Sequence, residues 1–104
     1  MAFTIIWSQQ ARDDLQAIVL FIAQDKPSVA ASFGYQLMLK VDMLMQFPLI
    51  GRVVPEENDE TILEIVFRPY RIIYKVMPGK QIVGIVRVWH GARGEPEIPM
   101  PPGF

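Results

Sequence analysis

The 104-residue chain predicts an α+β fold of order β-α-α-β-β-β, a small antiparallel sheet with an N-terminal helical hairpin packed on one face. Three observations predict it. A β-branched and aromatic run, Phe3 to Trp7, opens the chain. Two segments then repeat apolar residues at three- and four-residue spacing, with a proline between them. Three later segments alternate with the period of a strand, and short connections between them imply an antiparallel meander.

Taken in order, Phe3 to Trp7 is a short strand that ends at Ser8. Ser8 is also an N-cap, with Asp13 and Asp14 in the early turns of the helix behind it. In that helix Ala11, Leu15, Ile18 and Ile22 form one face, widened by Val19. Leu20 and Phe21 lie off this stripe, which predicts cover on more than one side. Asp25-Lys26-Pro27 breaks the helix and Pro27-Ser28 starts the next, where Ala30, Phe33, Leu37, Val41 and Leu44 share a face. Gly34 sits mid-helix at a cost of about 1 kcal/mol against Ala, which a close helix–helix crossing explains. Phe47-Pro48 ends this helix. The short connector makes the pair an antiparallel hairpin.

Residues 53–60 read as a loop with an acidic run from Glu56 to Glu60. Ile62 to Phe67 alternates around Glu64. Tyr70, Ile72, Tyr74 and Val76 share one face of the next strand. In the last strand strict alternation sets Ile82, Gly84, Val86 and Val88 against Val83, Ile85, Arg87 and Trp89. From Gly94 onward, four prolines and two glycines in eleven residues forbid regular structure. The expected organisation is one domain over residues 1–93 and a Pro-rich tail over residues 94–104, either packed in extended form or mobile. The sheet is expected to bury one face under the hairpin and leave the other to solvent or a partner.

Composition narrows the classes. A chain that is 51% hydrophobic and 20% charged is not a disordered segment. The longest apolar run, Ala17 to Ala23, is far short of a membrane span. There is no cysteine, which excludes disulfide scaffolds and thiol nucleophiles, and the N-terminus shows no secretory pattern; a cytoplasmic location is expected. The net charge of −1 hides an uneven distribution. Residues 65–94 hold six basic side chains (Arg68, Arg71, Lys75, Lys80, Arg87, Arg93) and no acidic one, while residues 1–64 hold four basic and nine acidic. A one-sign segment attracts an acidic partner even in a near-neutral chain.

No phosphate loop, nucleophile elbow or metal-binding spacing is present, so no cofactor and no metal are expected. The serines all sit at helix starts, where capping explains them. What remains is the basic set on the last two strands: Arg71, Lys75, Arg87, His90 and Arg93, able to line one open sheet surface. Arginine and histidine can supply the base, the phosphate-binding cations and the acid that RNA cleavage needs without a metal. The plainer alternative is a solvated sheet face with a hydrogen-bonded histidine. Arg52 is either a surface residue or a partner of the acidic loop or Glu64. Trp7 and Trp89 read as core or edge-of-core aromatics that, if exposed, mark a partner surface.

Four segments carry a resemblance: Ala11-Arg12-Asp13-Asp14-Leu15, Phe47-Pro48-Leu49-Ile50-Gly51-Arg52, Pro69-Tyr70-Arg71-Ile72-Ile73-Tyr74 and Val88-Trp89-His90-Gly91-Ala92-Arg93. In this order and spacing the chain resembles the RelE/ParE superfamily of type II toxin–antitoxin toxins, from Phe3 to Arg93. The resemblance implies a toxin neutralised by a cognate antitoxin, with a toxin–antitoxin hetero-oligomer as one assembly. It implies two branches: RelE-like enzymes that cut ribosome-bound mRNA, and ParE-like toxins that bind DNA gyrase. In the first, the site residues fall on Arg71, Arg93, His90 and Arg87; in the second, Arg52, Arg71, Trp89 and Arg93 meet the partner. The lysines that RelE-like enzymes carry ahead of the third strand are replaced here by Glu56 to Glu60, and no tyrosine follows Tyr74. These departures favour the ParE-like, non-enzymatic branch; a relative that only binds an antitoxin is a third alternative.

Overall fold

The computed structural model describes residues 2–104. Its elements are β1 (Thr4–Trp7), α1 (Gln9–Asp25), α2 (Pro27–Asp42), β2 (Arg52–Val53), β3 (Ile62–Phe67), β4 (Tyr70–Met77) and β5 (Ile82–His90). The predicted α+β class, helical hairpin and β3–β4–β5 meander are all present. Ser8 caps α1: its hydroxyl accepts the Ala11 N–H at 3.0 Å and donates to the Val86 carbonyl at 3.1 Å, tying the helix start to β5.

Two features of the sheet differ from the sequence expectation. Its order is β1-β5-β4-β3-β2, and β1 runs parallel to β5, so the sheet is mixed rather than antiparallel throughout. The hairpin of helices acts as the long crossover that such a parallel neighbour requires. The loop after α2 also contributes a two-residue strand, with Arg52 opposite Glu64 and Val53 opposite Leu63. A strand that short has no pattern to read.

The helical face holds the larger core. Leu37, Val41 and Leu44 pack with Leu63, Ile72, Tyr74, Val83 and Ile85. The α2 stripe is the predicted one. On α1 only the inner stripe is covered; Leu20 and Phe21 are exposed, Phe21 by 74%, against the expectation of cover on a second side.

β5 does not alternate strictly. Ile73 pairs with Arg87 but Tyr74 pairs with Ile85, which leaves Val86 as the extra residue of a β-bulge. Val83, Ile85 and Val88 therefore face the helices, whereas Val86 and Trp89 join a second core on the opposite face. That second face is not open. Val54, Ile62, Ile73, Val86 and Trp89 are buried there beneath Ile98, Met100 and Phe104 of the C-terminal segment. The Trp89 indole N–H donates to the Gly94 carbonyl at 3.1 Å and the Phe104 ring lies over Gly84, where any side chain would overlap it. The Pro-rich tail packs in extended form because its apolar residues meet a strip that the helices leave bare.

Two glycines separate crowded from roomy positions. A methyl at Gly34 meets only Val19 Cγ2, at 3.9 Å, so the helix crossing does not demand glycine there. A methyl at Gly51 collides with the Glu64 carbonyl and the Tyr74 hydroxyl, which accepts the Gly51 N–H at 3.0 Å. In denaturant unfolding, Gly34→Ala is expected to stabilise the chain by about 0.5–1 kcal/mol and Gly51→Ala to destabilise it by about 2 kcal/mol. Truncation before Ile98 is expected to cost about 3 kcal/mol, from three partly buried apolar side chains, and to raise binding of a hydrophobic dye.

Candidate functional site

The candidate residues cluster on β2, β4, β5 and the turn after β5, and the structure shows what holds each of them. Glu64 lies mid-way along β3 with its side chain fully buried. A carboxylate there needs cations, and two arrive from neighbouring strands. Arg52 Nε donates to Glu64 Oε2 at 2.6 Å, and Arg71 Nε donates to Glu64 Oε1 at 2.5 Å. The far side of the Arg71 guanidinium meets the acidic loop: Nη1 and Nη2 donate to the two oxygens of Glu56 at 3.0 and 2.7 Å. Arg71 is thus clamped between two carboxylates. Those hydrogen bonds, Glu56 first, push its pKa further up against the opposing effect of burial. The same bond holds the Glu56 carboxyl below its ordinary value.

Arg87, in the bulge, is almost fully buried. Its Nε and Nη2 donate to Asp14 of α1 at 2.8 and 3.0 Å, and its Nη1 donates to the Glu97 carbonyl of the tail at 3.1 Å. Asp14 also accepts the Val88 N–H at 3.0 Å, taking the place of a strand partner where β1 has stopped. Lys75 lies 3.7 Å from Asp59. Asp59 is itself held below its ordinary value, chiefly by the Thr61 hydroxyl and N–H.

His90 sits opposite Tyr70, and the two rings meet edge to face at 5.1 Å. Phe33 and Phe67 continue this aromatic row towards α2. His90 Nδ1 accepts the Ala92 N–H at 3.0 Å, so the neutral ring carries its proton on Nε2. Arg93 lies over the Trp89 ring at 4.1 Å and Arg87 packs against it at 4.8 Å. Trp89 itself is buried. Together with Tyr70, Asp14 and α1, His90 and Arg93 line a groove of about 290 Å³.

The expected single open basic surface is therefore corrected. Arg71, Lys75 and Arg87 are paired with acidic side chains; Arg52, Arg71 and His90 line one hollow of about 430 Å³ with Arg68, and His90 also borders the groove beside Tyr70 and α1. Arg52 takes the Glu64 alternative, with its side chain 62% exposed. Among the described residues Arg68 and Arg93 are in no ion pair. The sequence reading offers Glu64 and the acidic loop to Arg52 alone; it misses that Glu64 and Glu56 both hold Arg71 and that Asp14 holds Arg87. The signal for Glu64 was available: a lone charge inside an apolar strand requires a partner.

Because Glu56 is held below its unfolded value, its contribution to stability is complete above the unfolded pKa. It is lost as pH falls through the folded one. Stability is expected to decline as pH is lowered from about 5 through the carboxylate range; Glu56→Gln should flatten that decline, with Asp59 supplying part of what remains. Glu64→Ala, which empties a buried site and removes the partner of Arg52 and one side of the Arg71 clamp, is expected to cost about 3 kcal/mol in thermal or denaturant unfolding.

Comparison with known proteins places this geometry. Two curated relatives from Caulobacter vibrioides match nearly end to end. Toxin RelE1 is 29% identical over 88% of this chain and 96% of its own length. Toxin RelE2 is 35% identical over 86% and 96%. Among solved structures, the chromosomal ParDE toxin–antitoxin system of P. aeruginosa aligns with a TM-score of 0.70 at 18% identity, covering 86% of this chain and 96% of that one. The isolated E. coli RelE toxin aligns at 0.65 and 18%, covering 90% and 89%. The RelBE2 toxin–antitoxin complex of Mycobacterium tuberculosis aligns at 0.60 and 20%, covering 86% and 99%. At these identities the structures show a shared fold. The sequence model of the family described as ParE toxin of type II toxin-antitoxin system, parDE, matches residues 5–94, and the chain belongs to that toxin family within the RelE/ParE superfamily.

Proposed function

We propose that this chain is a ParE-like toxin that acts by binding DNA gyrase, and that a cognate antitoxin neutralises it. The observation that carries the choice is the clamp on Arg71. A phosphate reaching that guanidinium must first displace a bidentate carboxylate, Glu56, from a loop that is itself acidic. Two further observations point the same way. Arg87 is spent on Asp14 and the tail. Part of the sheet face opposite the helices is covered by Ile98, Met100 and Phe104, which narrows the surface open to an RNA strand. The match to the ParE toxin family model supports the same branch.

In this reading Arg93 and Arg52 present donors to the partner, Arg71 holds the loop in place, and Trp89 fixes Arg93 from below. An antitoxin partner is supported by the ParDE and RelBE2 complexes, whose toxin components share the fold.

The RelE-like alternative, mRNA cleavage on the ribosome, has one observation in its favour besides the names of the two Caulobacter relatives. His90 and Arg93 line one groove with Tyr70, an imidazole and a guanidinium of the kind that metal-free RNA cleavage uses. The two readings separate in vitro. Purified chain at micromolar concentration is expected to inhibit gyrase supercoiling or to trap cleavage complexes, and to leave translated mRNA uncut in primer extension. Arg93→Ala is expected to weaken the gyrase effect about tenfold without loss of folded protein. Codon-positioned cuts that vanish in His90→Ala and Arg93→Ala, with gyrase unaffected, would reverse the assignment.

A further inference from the structure

The hollow of about 430 Å³ gathers Arg52, Arg68, Arg71 and His90, and no acidic side chain lines it. Its charge depends on one residue that stands outside it. Glu56 takes both Nη donors of Arg71, at 3.0 and 2.7 Å. With Glu56 seated, Arg52 and Arg71 are cancelled by Glu64 and Glu56, and Arg68 alone is left over. With Glu56 withdrawn, the guanidiniums of Arg52, Arg68 and Arg71 face the single carboxylate of Glu64. The excess then matches a doubly charged anion.

Glu56 can leave its seat without disturbing the core. The loop that carries it is anchored on both sides. Val54 is buried and its N–H donates to the Ile62 carbonyl at 3.0 Å. Asp59 accepts the Thr61 hydroxyl and N–H and lies 3.7 Å from Lys75. Between these anchors the side-chain hydrogen bonds to the sheet run from Glu56 alone, and its side chain is partly exposed. A bidentate pair in such a place has strong geometry but remains open to exchange. The short tether holds Glu56 near Arg71 at an effective concentration of about millimolar. A single external carboxylate offers the fork no more than Glu56 does, and loses to it below that concentration. A terminal phosphate brings two charges and three acceptor oxygens, enough to engage Arg68 together with the fork. A phosphodiester brings one charge only.

We propose that Glu56 is a built-in competitor ligand, a latch that seals a phosphate-dianion site made by Arg52, Arg68, Arg71 and His90; the ligand it excludes is a terminal phosphate, free or carried by a nucleotide. The latch goes beyond the gyrase reading and does not depend on which target the toxin acts on. In the resting chain the seal keeps these cations from collecting nucleic-acid backbone. A dianion that displaces Glu56 releases residues 55–58 from the sheet, so occupancy of the hollow and position of the acidic loop are one equilibrium.

The test is a titration of the full chain with inorganic phosphate, followed by amide NMR at constant ionic strength and above neutral pH, where the dianion predominates. Glu56→Gln is expected to bind phosphate about tenfold more tightly than the wild type. Glu57→Gln removes the same charge from the same loop but leaves the Glu56–Arg71 bond in place, and should match the wild type. Arg68→Ala added to Glu56→Gln should return the affinity to about the wild-type level; Arg68 is in no ion pair, so its loss leaves the fold intact, which the spectrum of each variant checks. At high phosphate the wild-type amides of residues 55–58 should shift as Glu56 is displaced. AMP in a second arm is expected to gain in parallel, and AMP without the gain strikes the nucleotide as a source. Equal affinity of wild type and Glu56→Gln overturns the latch, as does an equal gain in Glu57→Gln. A gain that survives the loss of Arg68 overturns the site. A gain confined to an oligoribonucleotide without terminal phosphate, with inorganic phosphate and AMP unchanged, gives the hollow to nucleic-acid backbone and overturns the proposal.

Discussion

The Glu64 carboxylate organises one end of this molecule. A fully buried charge in the middle of a strand is tolerated only with cations at close range, and each cation that answers it fixes a further element. Arg52 brings in β2, a two-residue strand that its own backbone bonds are too few to hold. With β2 in place Gly51 approaches β3 closely enough to donate to Tyr74, from a position where no side chain fits. Arg71 meets the same carboxylate from β4 and spends its remaining donors on Glu56, which draws the acidic loop onto the sheet. Four side chains of alternating sign neutralise one another across three strands and a loop.

The other edge of the sheet is built on the same logic. β1 stops at Trp7 while β5 continues to His90, and a strand end without a neighbour leaves backbone donors unpaired. Asp14 supplies the acceptor from α1, and the bulge at Val86 aims Arg87 at the same carboxylate. Because the residues after the bulge change faces, Trp89 joins Val86 on the side away from the helices and widens the apolar strip on which the tail lies. The packing of Ile98, Met100 and Phe104 is therefore a consequence of one extra residue in β5.

These two ion clusters also explain what was legible in the sequence. The helices and the meander were legible because apolar spacing reports burial directly, and the Ala30–Leu44 stripe of α2 and the Tyr70–Val76 face of β4 hold in the structure. The parallel pairing of β1 was not, since four residues carry no mark of direction. Nor was the bulge, which interrupts a period of two without any glycine or proline to announce it. The exposure of Leu20 and Phe21 escaped because an apolar residue off the main stripe reads equally as second-side core or as bare surface. For the site, the sequence located the basic strands correctly but not their partners. Glu56 is eight residues from Glu64 and fifteen from Arg71, and only the strand pairing brings all three together. Reading cations without the anions they meet turns structural arginines into apparent ligands for phosphate.

Neutralised arginines and unpaired ones contribute differently to recognition. Arg71 and Arg87 are held by carboxylates and add little field to the surface, but they fix the shape of the sheet ends. Arg68 and Arg93 have no acidic partner, Arg52 keeps part of its guanidinium exposed, and all three lie where β2, β4 and β5 end. Charges in such rim positions mainly steer encounter and reject wrong partners; affinity has to come from apolar contact. The molecule offers that contact beside the same cations, in the Phe47–Ile50 loop and at Val66. A surface with buried charges neutralised, rim cations free and apolar side chains exposed is organised for holding another polypeptide, which is why the binding reading accounts for more of these residues than phosphate chemistry does.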